Sequence, residues 1–238
     1  MDFFLNLVNL GPLMERTSGA SQIVIGFMDG PLALNHPDLA AESVRGIAGE
    51  PGAGCTHSGS PACFHATFTA VILGARRDSP APAICPGCSL LVRPIFKAGA
   101  TQNGALPSAT AGQIARAIVE CVEAGARVLN LSAAYYLRGR PLGQTNLGSS
   151  VGRRGLLAPG EGVVSLGAEG EPLSLGGTGV GAPFVTGTIA LLWSMFPRVS
   201  AAEVKHALTI AAYGLRRTTI VPPLLDAWAS YQTMATTY

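Results

Sequence analysis

Charged side chains are scarce in this 238-residue chain, at 13% of residues, and nearly balanced, with 16 Lys and Arg against 14 Asp and Glu. A net charge of +2 lacks the electrostatic footprint of a nucleic-acid-binding or membrane-surface protein. Aromatics are also few, at 6%, and no basic patch is interleaved with them. No apolar run approaches the roughly 18 residues needed to cross a bilayer. The N-terminal stretch MDFFLNLVNLGPLMERTSG begins with an acid and lacks the positive n-region of a secretory leader. The expected location is therefore cytoplasmic, with secretion left open.

What is abundant is apolar side chain, at 48%, together with 30 glycines and 17 prolines. That composition suits one well-buried globular domain with many tight connections. Residues 1–19 read as a short amphipathic helical segment (Phe3, Phe4, Leu7, Val8, Leu13, Met14) broken near Gly11-Pro12, and 20–238 as the main domain. The five cysteines leave several readings open. Cys121 sits on an apolar helix face. Cys55, Cys63, Cys85 and Cys88 could form two local disulfides, stay reduced, act as a redox C-x-x-C or hold zinc, although their spacing fits no standard zinc finger. No metal or other cofactor is expected.

Strand and helix patterns alternate. Gln22–Met28, Ser89–Phe96 and Ala126–Ser132 read as strands, the first a continuous β-type run of the kind found in buried parallel sheets. Ala66–Ala75, Ala111–Ala124, Val180–Phe196 and Ala201–Ala212 read as helices, the last after Ser200, a good N-cap. The expected fold is α/β, a doubly wound, mostly parallel sheet flanked by helices. In such sheets function gathers at the carboxyl ends of strands and at helix N-termini, which singles out Asp29, Ser132, His65 and Gly179.

Three segments carry the chemistry: IVIGFMDGPLALNHPDL with Asp29, CFHATFTAVILGA with His65 opening a helix, and GGTGVGAPFVTG with Gly179 at the tip of a turn. In this order they resemble the subtilisin-like serine peptidases, whose pattern is a strand-end Asp-Gly, then His-Gly-Thr, then Gly-Thr-Ser-x-Ala-x-Pro. The segments ICPGCSLLVRPIF, IARAIVECVEAGARVLNLS and RRGLLAPGEGV resemble more narrowly the bacterial members associated with cyanobactin-type peptide maturation. The resemblance implies a buried carboxylate, Asp29, orienting an imidazole, His65, that would deprotonate a serine hydroxyl. It also implies a strand edge at Ser132, Ala133 and Ala134 that pairs with the backbone of a peptide substrate, the one partner expected. His36, His57 and His206 lack this context and read as surface or turn residues.

The departures from the pattern are large. Residue 179, where the nucleophilic serine would stand, is glycine. Thr178 matches the family's own threonine, and Ser174 lies five residues away. After LNLSAA, a segment on the order of 45 residues, more than one βαβ unit, is absent near 134–138; it would carry the asparagine that donates to the oxyanion. Asn146 matches a later turn and does not replace that residue. In subtilisin itself, losing the nucleophile costs roughly 10⁶ in turnover, and losing an oxyanion donor about 10²–10³. The expected activity is that of an impaired peptidase or a peptide-binding pseudopeptidase. Two alternatives remain: a variant of an active serine endopeptidase, and a phosphate- or nucleotide-binding α/β domain using GGTGVG at a helix N-terminus.

Overall fold

The computed structural model describes residues 1–48, 52–56, 59–81, 83–98, 108–133, 136–137, 140–141, 155–213 and 221–238. His57, Ala134, Asn146 and the two arginines of RRGLLAPGEGV lie outside the described residues. The chain folds around β1 (Val24–Met28), whose last four residues are fully enclosed. Its β-branched and aromatic side chains fit a strand covered on both faces. β1 pairs in parallel with β3 (Ser89–Val92) on one side and β4 (Val128–Leu131) on the other, and β3 pairs in parallel with β2 (Val44–Gly46). The order is β2-β3-β1-β4, a four-stranded parallel sheet. The α/β expectation holds.

β3 ends four residues before the predicted strand does, and Pro94 is the reason. Proline has no N–H for the ladder. The chain steps round it, with Arg93 N–H donating to the Phe27 carbonyl and Ile95 N–H to the Asp29 carbonyl. On its outer side β4 has no further strand among the described residues. The next elements, β5 (Tyr136–Leu137) and β6 (Arg140–Pro141), pair antiparallel with one another instead.

The N-terminal segment forms two helices, α1 (Asp2–Leu7) and α2 (Gly11–Arg16), split where Gly11-Pro12 predicts. Leu5, Val8, Leu10, Leu13 and Met14 join the same buried cluster as Ile25, Phe27, Phe68 and Phe184, so this segment is built into the main core. The helix carrying His65, α3 (Pro61–Gly74), starts five residues earlier than its apolar run. Pro61 supplies a preset φ for the first turn and needs no hydrogen-bond partner there. His65 therefore sits one turn inside the helix rather than at its opening.

α4 (Ala111–Glu123) begins with a capping box in which the Thr110 hydroxyl accepts from Gln113 N–H and the Gln113 side chain accepts from Thr110 N–H. An antiparallel hairpin, β7 (Val163–Leu166) with β8 (Pro172–Leu175), delivers the chain to α5 (Thr178–Met195). At 18 residues α5 is long and apolar enough by composition to cross a membrane, contrary to the sequence expectation, but 61% of it is buried inside the fold. It is the central helix of a core, with Phe184, Leu191 and Leu192 fully enclosed. α6 (Ala201–Tyr213) starts as predicted, Ser200 Oγ accepting from Glu203 N–H, and α7 (Ala227–Thr237) packs against it.

Candidate active site

The carboxyl end of β1, the second turn of α3, the end of β4 and the first turn of α5 meet at one place. Asp29, at the end of β1, is 1% exposed. Both its oxygens face the His65 Nδ1, at 3.1 and 3.0 Å. Gly30 N–H donates to Oδ1 at 2.8 Å, and the Thr69 hydroxyl lies 3.1 Å from Oδ2. The buried carboxylate is thus held on both oxygens, which fixes the imidazole with its proton on Nδ1. Glycine at 30 is a steric requirement: a β-carbon there would stand 2.1 Å from the Ala62 carbonyl oxygen. That contact brings the α3 N-terminus against the strand end.

His65 feels two opposing effects. Burial pulls its pKa down, while the Asp29 charge and hydrogen bond push it up; the carboxylate wins, and the imidazole is more basic than an ordinary histidine. Its Cε1–Nε2 edge lies against residue 179. A β-carbon on Gly179 would stand 3.0 Å from Nε2 and 3.3 Å from the Ser132 Cβ. Asp29, His65 and Gly179, singled out separately in the sequence, are therefore one constellation.

Ser132 is buried beside it. Pro183 has no N–H to return to the Gly179 carbonyl four residues earlier, and Ser132 Oγ donates to that carbonyl at 3.2 Å. Ser132 Oγ in turn accepts from Asn130 Nδ2, whose Oδ1 accepts from the Thr186 hydroxyl. This Thr186–Asn130–Ser132 chain ties the strand end to α5. Ala133 is half-buried next to it, and Ser174 lies in β8, paired with Val164. Sequence reading missed Thr69, Asn130 and Thr186, since a lone threonine or asparagine in an apolar stretch carries no signal of its partner.

The loop between β1 and α3 is closed covalently. Cys55 and Cys63 form a disulfide, two residues before His65. Cys55 N–H donates to the Leu32 carbonyl, and Leu32 N–H to the Ala53 carbonyl. With Cys63 so engaged, the four-cysteine zinc reading is withdrawn. Cys85 and Cys88 are free thiols in mutual contact: the hydrogen bond between them, reinforced by burial, pushes Cys85 well above its ordinary range, and the same bond outweighs burial to lower Cys88. Burial raises Cys121 to about 11.

His36 is a correction to the sequence reading. It is 3% exposed, not a surface residue. Its Nδ1 accepts from Asp38 N–H at 3.1 Å, so the Nε2–H donates to the Gly167 carbonyl at 2.9 Å. That pairing fixes the neutral form, and burial lowers the pKa. His206, as expected, is exposed.

Similarity to solved structures covers nearly the whole chain. The protease domain of PatA superposes with a TM-score of 0.78 over 92% of this chain and 98% of its own, at 21% identity. The PatG macrocyclase in complex with peptide gives 0.76 over 98% of both chains, at 18% identity. The fold is subtilisin-like. MycP1 from Mycobacterium smegmatis shares it, with a TM-score of 0.69 and 20% identity over 96% of this chain and 84% of that one. In sequence, Mycosin-1 of Mycobacterium tuberculosis is 34% identical over 85 residues, covering 30% of this chain and 19% of that protein. No protein-family model matches the chain. The subtilisin-like architecture also weighs against the nucleotide-loop reading of GGTGVG. The strand before it, β8, belongs to an antiparallel hairpin, not to the parallel strand–turn–helix unit of dinucleotide-binding folds.

Proposed function

We propose that this protein is a subtilisin-like peptide-binding protein of the peptidase type whose proteolysis is impaired. The observation that carries this reading is the placement of Gly179: the residue facing Nε2 of the Asp29–His65 pair has no side chain to activate. Asp29 and His65 retain the roles of orienting carboxylate and general base, without a seryl hydroxyl between base and substrate.

Peptide recognition needs only backbone N–H and C=O groups along a strand edge, so it survives loss of the nucleophile. The edge assigned to it runs from the end of β4 through Ser132 and Ala133. The PatG macrocyclase, a structural neighbour solved in complex with peptide, supports a peptide as the ligand class. The Cys55–Cys63 disulfide favours an oxidising compartment over the reducing cytoplasm expected from the N-terminal residues.

The test is a titration with a mixture of random unstructured octapeptides, followed by amide chemical shifts and by mass spectrometry of the peptides. Shifts at Leu131, Ser132 and Ala133, with the peptides left intact while the Gly179→Ser variant cleaves them, are expected. Absence of shifts, or cleavage as fast as by that variant, contradicts the reading.

A further inference from the structure

We infer that the lack of a hydroxyl at Gly179 leaves His65 as a base for water, so that the native protein hydrolyses activated acyl esters directly, without an acyl-enzyme. Three observations carry this. The Nδ1–H of His65 is committed to Asp29, which leaves the Nε2 lone pair free, and among the described residues Nε2 has no hydrogen-bond partner. The imidazole reaches solvent: the His65 side chain is 33% exposed, beside a half-buried Gly179. The one hydroxyl shown beside Gly179 is already occupied. Ser132 gives its proton to the carbonyl that Pro183 leaves without a helical partner, and its oxygen accepts from Asn130.

A base without a protein nucleophile, open to solvent, takes its proton from water. The water oxygen forms a bond to the acyl carbon as its proton passes to Nε2. The tetrahedral adduct then collapses by breaking the bond to the leaving alkoxide or phenoxide; the imidazolium returns its proton to that oxygen or, where the phenoxide stays ionised, to solvent water, which restores the free Nε2. The products are a carboxylic acid and an alcohol or phenol, and no oxidant, metal or co-reactant enters. A good leaving group removes most of the need for oxyanion stabilisation, which is why activated esters rather than amides are the substrate class. This activity goes beyond the peptide-binding reading and does not rest on it, because a small ester needs no peptide-binding edge.

The experiment uses the intact protein and p-nitrophenyl acetate. Expected are linear release of p-nitrophenol from the first turnover, no acetyl adduct by intact-protein mass spectrometry, a slower rate in D₂O, and a loss on the order of 10²-fold in His65→Ala. On the native protein alone, the rate should rise with pH as a single titration and level off, a readout that does not depend on any variant folding. A native rate equal to that of a folded His65→Ala variant overturns the inference, as does a rate without that titration. An acetyl adduct on Ser132, or on any other residue, formed and discharged at the turnover rate overturns it too. Failure here leaves the octapeptide titration unaffected, so the two readings fail separately.

Discussion

His65 and Gly179 are closely apposed: a β-carbon on Gly179 would stand 3.0 Å from both Nε2 and Cε1 of the imidazole, so the ring must give by a few tenths of an ångström to admit one. Around that contact the supporting structure is intact. The carboxylate is buried and held, the imidazole is oriented, and the α5 turn is bolted to β4 through Ser132. At the centre of this arrangement, position 179 carries no side chain.

The Asp29 carboxylate should account for the raised basicity of His65. By NMR titration the native imidazole should titrate above 6.5, the ordinary value, because the charge and hydrogen bond of Asp29 outweigh burial. In Asp29→Asn burial acts alone, and the titration should move below 6.5. An unchanged midpoint would mean that another group supplies the charge.

His65 and His36 should shape the pH dependence of stability on opposite sides of the ordinary histidine value. The folded state raises the His65 pKa, so its contribution is complete below pH 6.5 and is lost as pH rises through the folded value. The folded state lowers the His36 pKa. Its neutral hydrogen bonds are therefore fully stabilising above pH 6.5, and stability falls as the pH drops from there towards the folded value. The slope from one such group is at most about 1.4 kcal/mol per pH unit. In denaturant melts between pH 7 and 5, His36→Gln should flatten the acid-side fall. An unchanged slope would clear His36 of that role.

The Asp29–His65 pair is legible in the sequence only from three segments taken together. Asp29 alone reads as a turn residue before glycine and His65 alone as a capping or packed histidine; their order ahead of the Gly-Thr turn carries the family resemblance that joins them. The position of His65 one turn inside α3 was harder to see, since Pro61, Ala62 and Cys63 read as the end of a loop until proline's preference for the first helical turn is given its weight. The burial of His36 was not legible. Its partner, the Gly167 carbonyl, lies 131 residues away, and no local pattern encodes that contact. The same holds for the Thr186–Asn130–Ser132 chain, which exists only once α5 has packed on β4. The end of β3 was readable in principle from Pro94, but the apolar residues beyond it obscured the break.

The Cys55–Cys63 disulfide closes a short loop at the N-terminus of α3. Chain-entropy arguments give a stabilisation of about 2.5 kcal/mol for a ring of this size. Cys55→Ser should lower the denaturant midpoint by an amount corresponding to roughly that energy, with the slope unchanged. Reduction with dithiothreitol should reproduce the effect. A variant as stable as the native protein would mean that the hydrogen bonds between Leu32 and residues 53–55 suffice to hold the loop.

Gly30 and Gly52 make a matched pair. A β-carbon at 30 meets the Ala62 backbone, whereas at 52 it meets nothing within 4 Å. Gly30→Ala should cost about 1–3 kcal/mol, because backbone must move. Gly52→Ala should stay within about 0.5 kcal/mol of native. Chemical melts of the two variants compare them directly, and equal costs would contradict the close approach of β1 and α3.

The most direct test of the account is the reaction of Gly179→Ser with a fluorophosphonate, followed by peptide mapping. The new side chain fits if His65 yields a few tenths of an ångström, and its hydroxyl would then meet Nε2. On the proposed reading, which has no oxyanion asparagine, the gain should fall well short of a complete peptidase, on the order of 10³ over the native labelling rate. The account predicts a phosphonyl adduct at position 179 that requires His65, with none on the native protein over the same time. A folded Gly179→Ser variant that stays unlabelled while its His65–Asp29 pair titrates as in the native protein would show that residue 179 is not the vacated nucleophile position.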